Sequence, residues 1–262
     1  MASQLFTLTR RFALGGGSGL IGLAVYKSKT DPIHIFWDLD HTILCSITPI
    51  PDIDYLKNDN SELIKQTTSK CPVSPSNLAR SLPSCPTLYH FDQIDDDFPY
   101  HGDIPNTRTF IRPGAQMALK LCHYFGIIHV YTAAQGSYTN NILKELDPDR
   151  TLFTGIIHRC DYPEIVQRGK DLNVGKVDLR RAILFDDKPS NFKPQKYENG
   201  VVVKKFTDDR VAKCNAGNWS AYLEEVKEMS RLVGLAFWSS IHLSGDVRNV
   251  VSYVRNWNDT KP

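Results

Sequence analysis

The chain is short of several things that would assign it quickly. Its six cysteines, Cys45, Cys71, Cys85, Cys122, Cys160 and Cys214, include no Cys-x-x-Cys pair. The ligand spacing of a zinc site is therefore unmet, also for a cluster built from Cys45, Cys71 and Cys85, and the scatter argues against a disulfide framework. Free thiols in a reducing compartment are the reading that remains. An excess of one charge is missing too: 31 Lys and Arg face 29 Asp and Glu, for a net charge of +2. With no polybasic field, nucleic acid is not an expected partner. No comfortable membrane span is present either, since that needs about 20 apolar residues. The nearest stretch, Phe12 to Tyr26, is glycine-rich and about 15 residues long.

The most informative segment that is present runs Ile33-His34-Ile35-Phe36-Trp37-Asp38-Leu39-Asp40-His41-Thr42-Ile43-Leu44. It sets two carboxylates and a hydroxyl at alternate positions, after an apolar run short enough for a buried parallel strand. On an extended chain Asp38 and Asp40 would share a face. Like charges that close repel, and burial penalises both, so the arrangement makes sense with a divalent cation or a retained proton. The plainer reading is a strand that ends in a polar loop, where Asp is common.

At 262 residues and 41% hydrophobic content, the chain can bury one sizeable core. Beyond Arg108 its pattern is regular. Gly114 to Phe125, with Met117, Leu119, Leu121 and Phe125, predicts a helix, and Ile127 to Tyr131 a strand ending at Thr132. Tyr138 to Leu146 predicts a helix stopped by Asp147-Pro148, and Ala182 to Phe185 a strand ending at Asp186-Asp187. The candidate residues thus fall at carboxyl ends of strands, where ligands bind in a doubly wound, mostly parallel α/β sheet, the fold class expected here. From Trp219 to Trp257, with Tyr222, Val226, Met229 and Val233 at near-helical spacing, helices should pack on the sheet. Residues 47–105, rich in Pro, Ser, Asn and Asp, predict a loop-rich insertion with little internal core, its run Asp95-Asp96-Asp97 a solvated face. His34, His101, His129 and His158 lack ligand spacing and read as packing or hydrogen-bonded residues.

Motifs in order carry a family resemblance. Asp38-Leu39-Asp40-His41-Thr42 resembles the aspartate-nucleophile signature of the haloacid dehalogenase superfamily, and more narrowly its branch of RNA polymerase II C-terminal-domain phosphatases and their small-phosphatase relatives. Phe110-Ile111-Arg112-Pro113-Gly114 is similar to the branch's Arg-Pro-Gly element, and Val130-Tyr131-Thr132-Ala133-Ala134 to its second motif. Gly169-Lys170-Asp171-Leu172 is similar to the lysine-bearing third motif, and Ile183-Leu184-Phe185-Asp186-Asp187-Lys188-Pro189 to the acidic fourth. The resemblance covers residues 31–206 around the insertion and extends through the helical tail. His41 stands where the branch usually has Glu, and Asp187 where many small members carry Asn.

This resemblance implies a chemistry. Asp38 would be the nucleophile, and Asp40 the general acid and then base. Thr132 and Lys170 would meet the phosphoryl group, and Thr42 and Arg159 the substrate. Magnesium (Mg2+) would be held by Asp38, the backbone carbonyl of Asp40 and Asp187, with Asp186 the neighbouring candidate ligand. The partner would be a phosphoprotein bearing phosphoserine or phosphothreonine. A binding protein on the same fold is the alternative: the mitochondrial inner-membrane translocase subunit that receives presequences resembles the branch too. That reading would bring translocase subunits in as partners, and the complete acidic pair weighs against it.

Residues 1–30 stand apart from the domain expected over 31–262. They contain no acidic residue, and Arg10, Arg11, Lys27 and Lys29 flank the apolar stretch. Such a leader resembles a mitochondrial transit peptide, with a signal-anchor or secretory segment as the alternative. The expected location is the mitochondrion or a membrane reached through the amino terminus, and the nucleus or cytoplasm if the segment is no address. Gly17-Ser18-Gly19-Leu20-Ile21-Gly22 has the dinucleotide-binding spacing, but Arg10 and Arg11 interrupt the strand that motif needs.

Overall fold

The apolar run ahead of Asp38 forms a strand, β1 (Ile33–Trp37), at the centre of the molecule. The computed structural model describes residues 29–47, 88–93, 107–242 and 245–259, with isolated positions at 19, 20, 22, 26 and 86. After β1 come β2 (Leu44–Ile47), β3 (His90–Gln93), β4 (Thr107–Ile111), α1 (Ala115–Phe125), β5 (Gly126–Tyr131), α2 (Gly136–Leu146) and β6 (Phe153–Ile157). The second half holds α3 (Ile165–Arg168), β7 (Ala182–Asp186), β8 (Gly200–Val202), α4 (Asp208–Asn215), α5 (Trp219–Ile241) and α6 (Arg248–Asp259).

Five strands make one sheet in the order β6-β5-β1-β7-β8, every neighbouring pair parallel. Chain order runs outward from β1 to β6, then returns to the other side of β1 for β7 and β8, which is the doubly wound arrangement. Both faces are covered, which is why β1 reads as a near-continuous apolar run. Ile33, Ile35 and Trp37 point into a cluster with Leu119, Cys122, Leu232 and Ala236, while Phe36 joins Tyr131, Ile165, Leu172 and Phe192 on the other face. Each such buried side chain contributes about 1.5–3 kcal/mol.

The helices correct two details of the sequence pattern. In α1 the buried residues are Ala115, Ala118, Leu119 and Cys122, and Met117 is 63% exposed. Met117, Leu119 and Leu121 are two apart, a strand period; a helix buries positions three and four apart. In α5 the buried stripe runs Ala221, Glu225, Met229, Leu232 and Ala236, so a carboxylate occupies a core position.

A second sheet, β2-β4-β3, is antiparallel. Cys45, Phe110 and Leu88 of this region pack against Phe206 and against Val211 and Cys214 of α4. β3 belongs to the 47–105 span, most of which, with His101 and the acidic run, lies outside the described residues, as does most of 1–30. Among the described residues no helix is long and apolar enough to cross a membrane.

Candidate active site

Three strands of the parallel sheet deliver polar residues at their carboxyl ends: Asp38 after β1, Thr132 after β5, and Asp186 and Asp187 at the end of β7. β1 lies between β5 and β7, so all three loops meet at the point where strand order reverses. The Asp38 amide donates to the Phe185 carbonyl at 3.0 Å, extending the β1–β7 ladder one residue past the strand.

Lys170 is the electrostatic centre. Fully buried, it places Nζ 2.5 Å from Asp38 Oδ1 and 2.6 Å from Asp186 Oδ2. Its backbone is clamped: its amide donates to the Asn191 carbonyl at 2.9 Å, and Gln195 Nε2 donates to its carbonyl at 2.8 Å. Gly169 makes that approach feasible. Its φ of +89° suits glycine, and a Cβ there would lie 3.0 Å from the carbonyl oxygens of Ser190 and Asn191.

The two adjacent aspartates of β7 have different surroundings. Asp186 accepts from the Lys188 amide at 2.7 Å and from Asn191 Nδ2 at 2.8 and 2.9 Å, besides its pair with Lys170. Asp187 is 3% exposed, neither carboxylate oxygen has a hydrogen-bond partner among the described residues, and Lys205 Nζ lies 3.5 Å away. Asp38, Asp186 and Asp187 each offer an oxygen within 4.8 Å of the others. Three buried carboxylates against one buried ammonium leave excess negative charge, and burial raises the Asp38 pKa despite the pull of Lys170, with Asp186 and Asp40 adding to the rise. A hard divalent cation fits this donor set and would be held by Asp38 and by Asp187, whose oxygens accept no hydrogen bond among the described residues. Asp186, already saturated, orients Lys170.

Asp40 turns its carboxylate elsewhere. Tyr138, from α2, donates its hydroxyl to Asp40 Oδ1 at 2.5 Å, and the Tyr138 oxygen lies 2.6 Å from Ser46 Oγ, which is 2.8 Å from Thr109 Oγ1. With Asp40 ionised, Ser46 must donate to Tyr138, since the phenol has one proton. Burial raises the Asp40 pKa and the Tyr138 hydrogen bond lowers it.

Thr132 is buried, and its hydroxyl accepts from the Ala134 amide at 3.1 Å, leaving its own proton to donate. Thr42 is also buried, with Oγ1 3.4 Å from Asp38 Oδ2, so it stands against Asp38. Arg159 is exposed and braces the Thr132 loop: Nε donates to the Ala133 carbonyl at 2.8 Å, and its backbone amide to the Ala134 carbonyl at 3.0 Å. Asp38, Lys170, Asp186 and Asp187 therefore come together directly. Sequence reading missed Tyr138 and Asn191, since a lone Tyr in a helix and an Asn in a loop carry no pattern of their own.

A family model, NLI interacting factor-like phosphatase, matches residues 86–233, more than half of the chain. The chain belongs to that family. With it the motif-based assignment to the haloacid dehalogenase superfamily and its Fcp1-homology branch holds, and the protein is a phosphatase by family. The solved structure of Fcp1, an essential RNA polymerase II CTD phosphatase, is similar, with 14% identity, a TM-score of 0.56, and coverage of 91% of this chain and 74% of that one. A fission yeast RNA polymerase II CTD phosphatase, an Fcp1 variant bound to beryllium fluoride, gives 16% identity, a TM-score of 0.48, and coverage of 92% and 59%. At 14% identity the first likeness establishes the fold. No curated protein sequence matches the chain.

Proposed function

We propose that this protein is a magnesium-dependent phosphoprotein phosphatase acting on phosphoserine or phosphothreonine through an aspartyl-phosphate. The observation that carries the reading is Lys170, buried between Asp38 and Asp186 beside Asp187, whose oxygens accept no hydrogen bond among the described residues. Bound Mg2+ would supply charge neutralisation that lets an anionic phosphate approach a carboxylate.

The residues do the rest. Asp38 forms an O–P bond while the bond from phosphorus to the serine oxygen breaks. Asp40 gives its proton to the departing alkoxide, then takes one from the water whose oxygen attacks the phosphoryl group, breaking the Asp38 O–P bond and releasing inorganic phosphate. Tyr138 holds Asp40 in place for both transfers, Thr132 has a hydroxyl proton to donate to a phosphoryl oxygen, and Lys170 aims Asp38 and favours its ionised form against the effect of burial. A protein substrate is supported by the family and by the likeness to a CTD phosphatase. The receptor alternative leans on the leader, and the assembled acidic site does not favour it.

The test is hydrolysis of a panel of phosphoserine and phosphothreonine peptides by the full chain, with Mg2+ and with a chelator. Turnover should require the metal and fall by orders of magnitude in Asp38→Asn, a nearly isosteric change that removes the nucleophile. Substantial activity of that variant with Mg2+ present would sink the mechanism.

A further inference from the structure

The loop that carries Asp38 and Asp40 is tightly wound. The amides of Thr42, Ile43 and Leu44 all donate to the Leu39 carbonyl, at 3.2, 2.9 and 3.1 Å, and His41 has a left-handed φ of 61°. That closure turns three successive carbonyls, of His41, Thr42 and Ile43, away from the loop. Each needs a donor, because a buried carbonyl without one is costly. The Phe206 amide donates to His41 at 2.8 Å, and His41 Nδ1 donates back to the Phe206 carbonyl at 3.1 Å. Arg112 serves the other two: Nη1 donates to the Thr42 carbonyl at 3.0 Å, and its backbone amide to that of Ile43 at 2.9 Å. Its guanidinium also lies 5.6 Å from the centre of the Phe206 ring.

Arg112 can sit there because a carboxylate follows it into the core. Glu225, in the buried stripe of α5, accepts Arg112 Nε at 2.8 Å and lies 2.6 Å from Nη2, and both side chains are 0% exposed. Arg210 of α4 donates Nε to the other Glu225 oxygen at 2.6 Å and Nη2 to Glu224 at 2.6 Å. Burial works against the Arg112 charge, and Glu225 opposes that effect. The planar guanidinium hydrogen-bonds one Glu225 oxygen through Nε, sets Nη2 in ion-pair contact with that same oxygen and gives Nη1 to the loop, a spread that a lysine ammonium at the same site could not reproduce.

We infer that Arg112 and Glu225 are positioning residues for the nucleophile loop: helix α5, at the far end of the chain, sets where the Asp38 and Asp40 backbone lies. The inference rests on the phosphatase reading only for its kinetic consequence. A misplacement of about 1 Å at a reacting group can cost on the order of 100-fold in rate.

Removing one partner would leave the other charge buried alone and threaten folding, so the decisive variant removes both. Replacing a buried ion pair by apolar groups of similar volume is often neutral or stabilising. Arg112→Met/Glu225→Leu leaves no lone buried charge from this pair, but takes the donor from the Thr42 carbonyl and leaves Arg210 with Glu224. It should fold with a lowered melting temperature and lose roughly 10- to 100-fold in kcat on a phosphopeptide with KM nearly unchanged. Amide hydrogen exchange over residues 38–44 should accelerate in this variant while that of β7 and α2 is unchanged, a readout that needs no activity. Arg112→Lys, which keeps a cation for Glu225 and loses the fork, should show the same kcat loss and loop exchange if the double variant fails to fold. Wild-type kcat together with unchanged loop exchange in the folded variants would overturn the inference. A wild-type protein inactive on every phosphopeptide would instead defeat the phosphatase reading, and the exchange measurement would still decide the positioning role.

Discussion

Asp186 and Asp187 are neighbours with the same side chain, and their partners separate them. Asp186 is engaged by Lys170, Lys188 and Asn191, whereas Asp187 keeps both oxygens free of hydrogen bonds from the described residues. Ligand binding to the folded state alone stabilises by about 2.7 kcal/mol at 100 times the dissociation constant. Mg2+ should therefore raise the melting temperature of the wild type, and Asp187→Asn should abolish most of that rise. Asp186→Asn should lower the melting temperature without Mg2+, because Lys170 loses a buried carboxylate. A full Mg2+ response in Asp187→Asn would remove that residue from the metal site. Tyr138 offers a second test at this scale. If its hydroxyl aims Asp40, Tyr138→Phe should slow phosphoserine hydrolysis more than that of an activated aryl phosphate, whose leaving group needs little protonation. Equal losses on the two substrates would make Tyr138 a packing residue.

Among the elements, the junction of α1 and β5 has no spare residue: the helix ends at Phe125 and the strand starts at Gly126. A Cβ on Gly126 would lie 2.5 Å from the Ile33 carbonyl oxygen and 2.7 Å from Ile33 Cγ1, so the backbone of β1 itself would have to move. Overpacking of this kind costs about 1–3 kcal/mol, and Gly126→Ala should lower the urea midpoint by the corresponding amount. Gly234 is the contrast. It lies inside α5, and apart from its chain neighbours and the adjoining backbone of that helix none of the described residues comes within 4 Å of the place a Cβ would take. Gly234→Ala should therefore stabilise by about 0.5–1 kcal/mol through helix propensity alone. The opposite sign at either glycine would contradict the packing described for α1, β1 and α5.

For the whole molecule, pH acts through a histidine pair as well as through the active site. His34 Nδ1 and His129 Nε2 are 3.0 Å apart on neighbouring strands β1 and β5, and Phe36 stacks on the His129 ring. Burial and the neighbouring His34 lower the His129 pKa to about 4, and burial with Arg181 lowers that of His34. The unfolded chain, with histidines near 6.5, then binds more protons than the folded one between the two values. The pair's contribution is complete above about 6.5 and is lost as pH falls towards the folded value. The raised pKa of Asp38 acts oppositely, its stabilisation fading as pH rises, so the measurement is a difference. With Mg2+ present, the urea midpoint at pH 7 minus that at pH 5 should be more positive in the wild type than in His34→Gln/His129→Gln. An equal signed difference in the two proteins would exclude the pair as a source of acid sensitivity.

What was legible in the sequence is what local rules encode. Apolar runs buried on both faces predicted β1, β5 and β7, and polar residues straight after them marked the carboxyl edge of the sheet, because strand burial and strand ends are both short-range patterns. The short edge strands β6 and β8 carry weaker patterns, and Gly155 in β6 is there to clear the His129 ring, 2.6 Å from where a Cβ would be. The family model begins at residue 86, so Asp38 and Asp40 lie outside it. Their place in the site comes from β1 lying between β5 and β7, which sets Asp38 against Lys170, 132 residues away. The same holds for Glu225, which reads as a misplaced charge in a helix stripe until α5 packs on α1 and supplies Arg112, 113 residues earlier. Periodicity reports which face of an element is buried; which charge meets it there depends on strand order and crossover, and no local pattern carries that information.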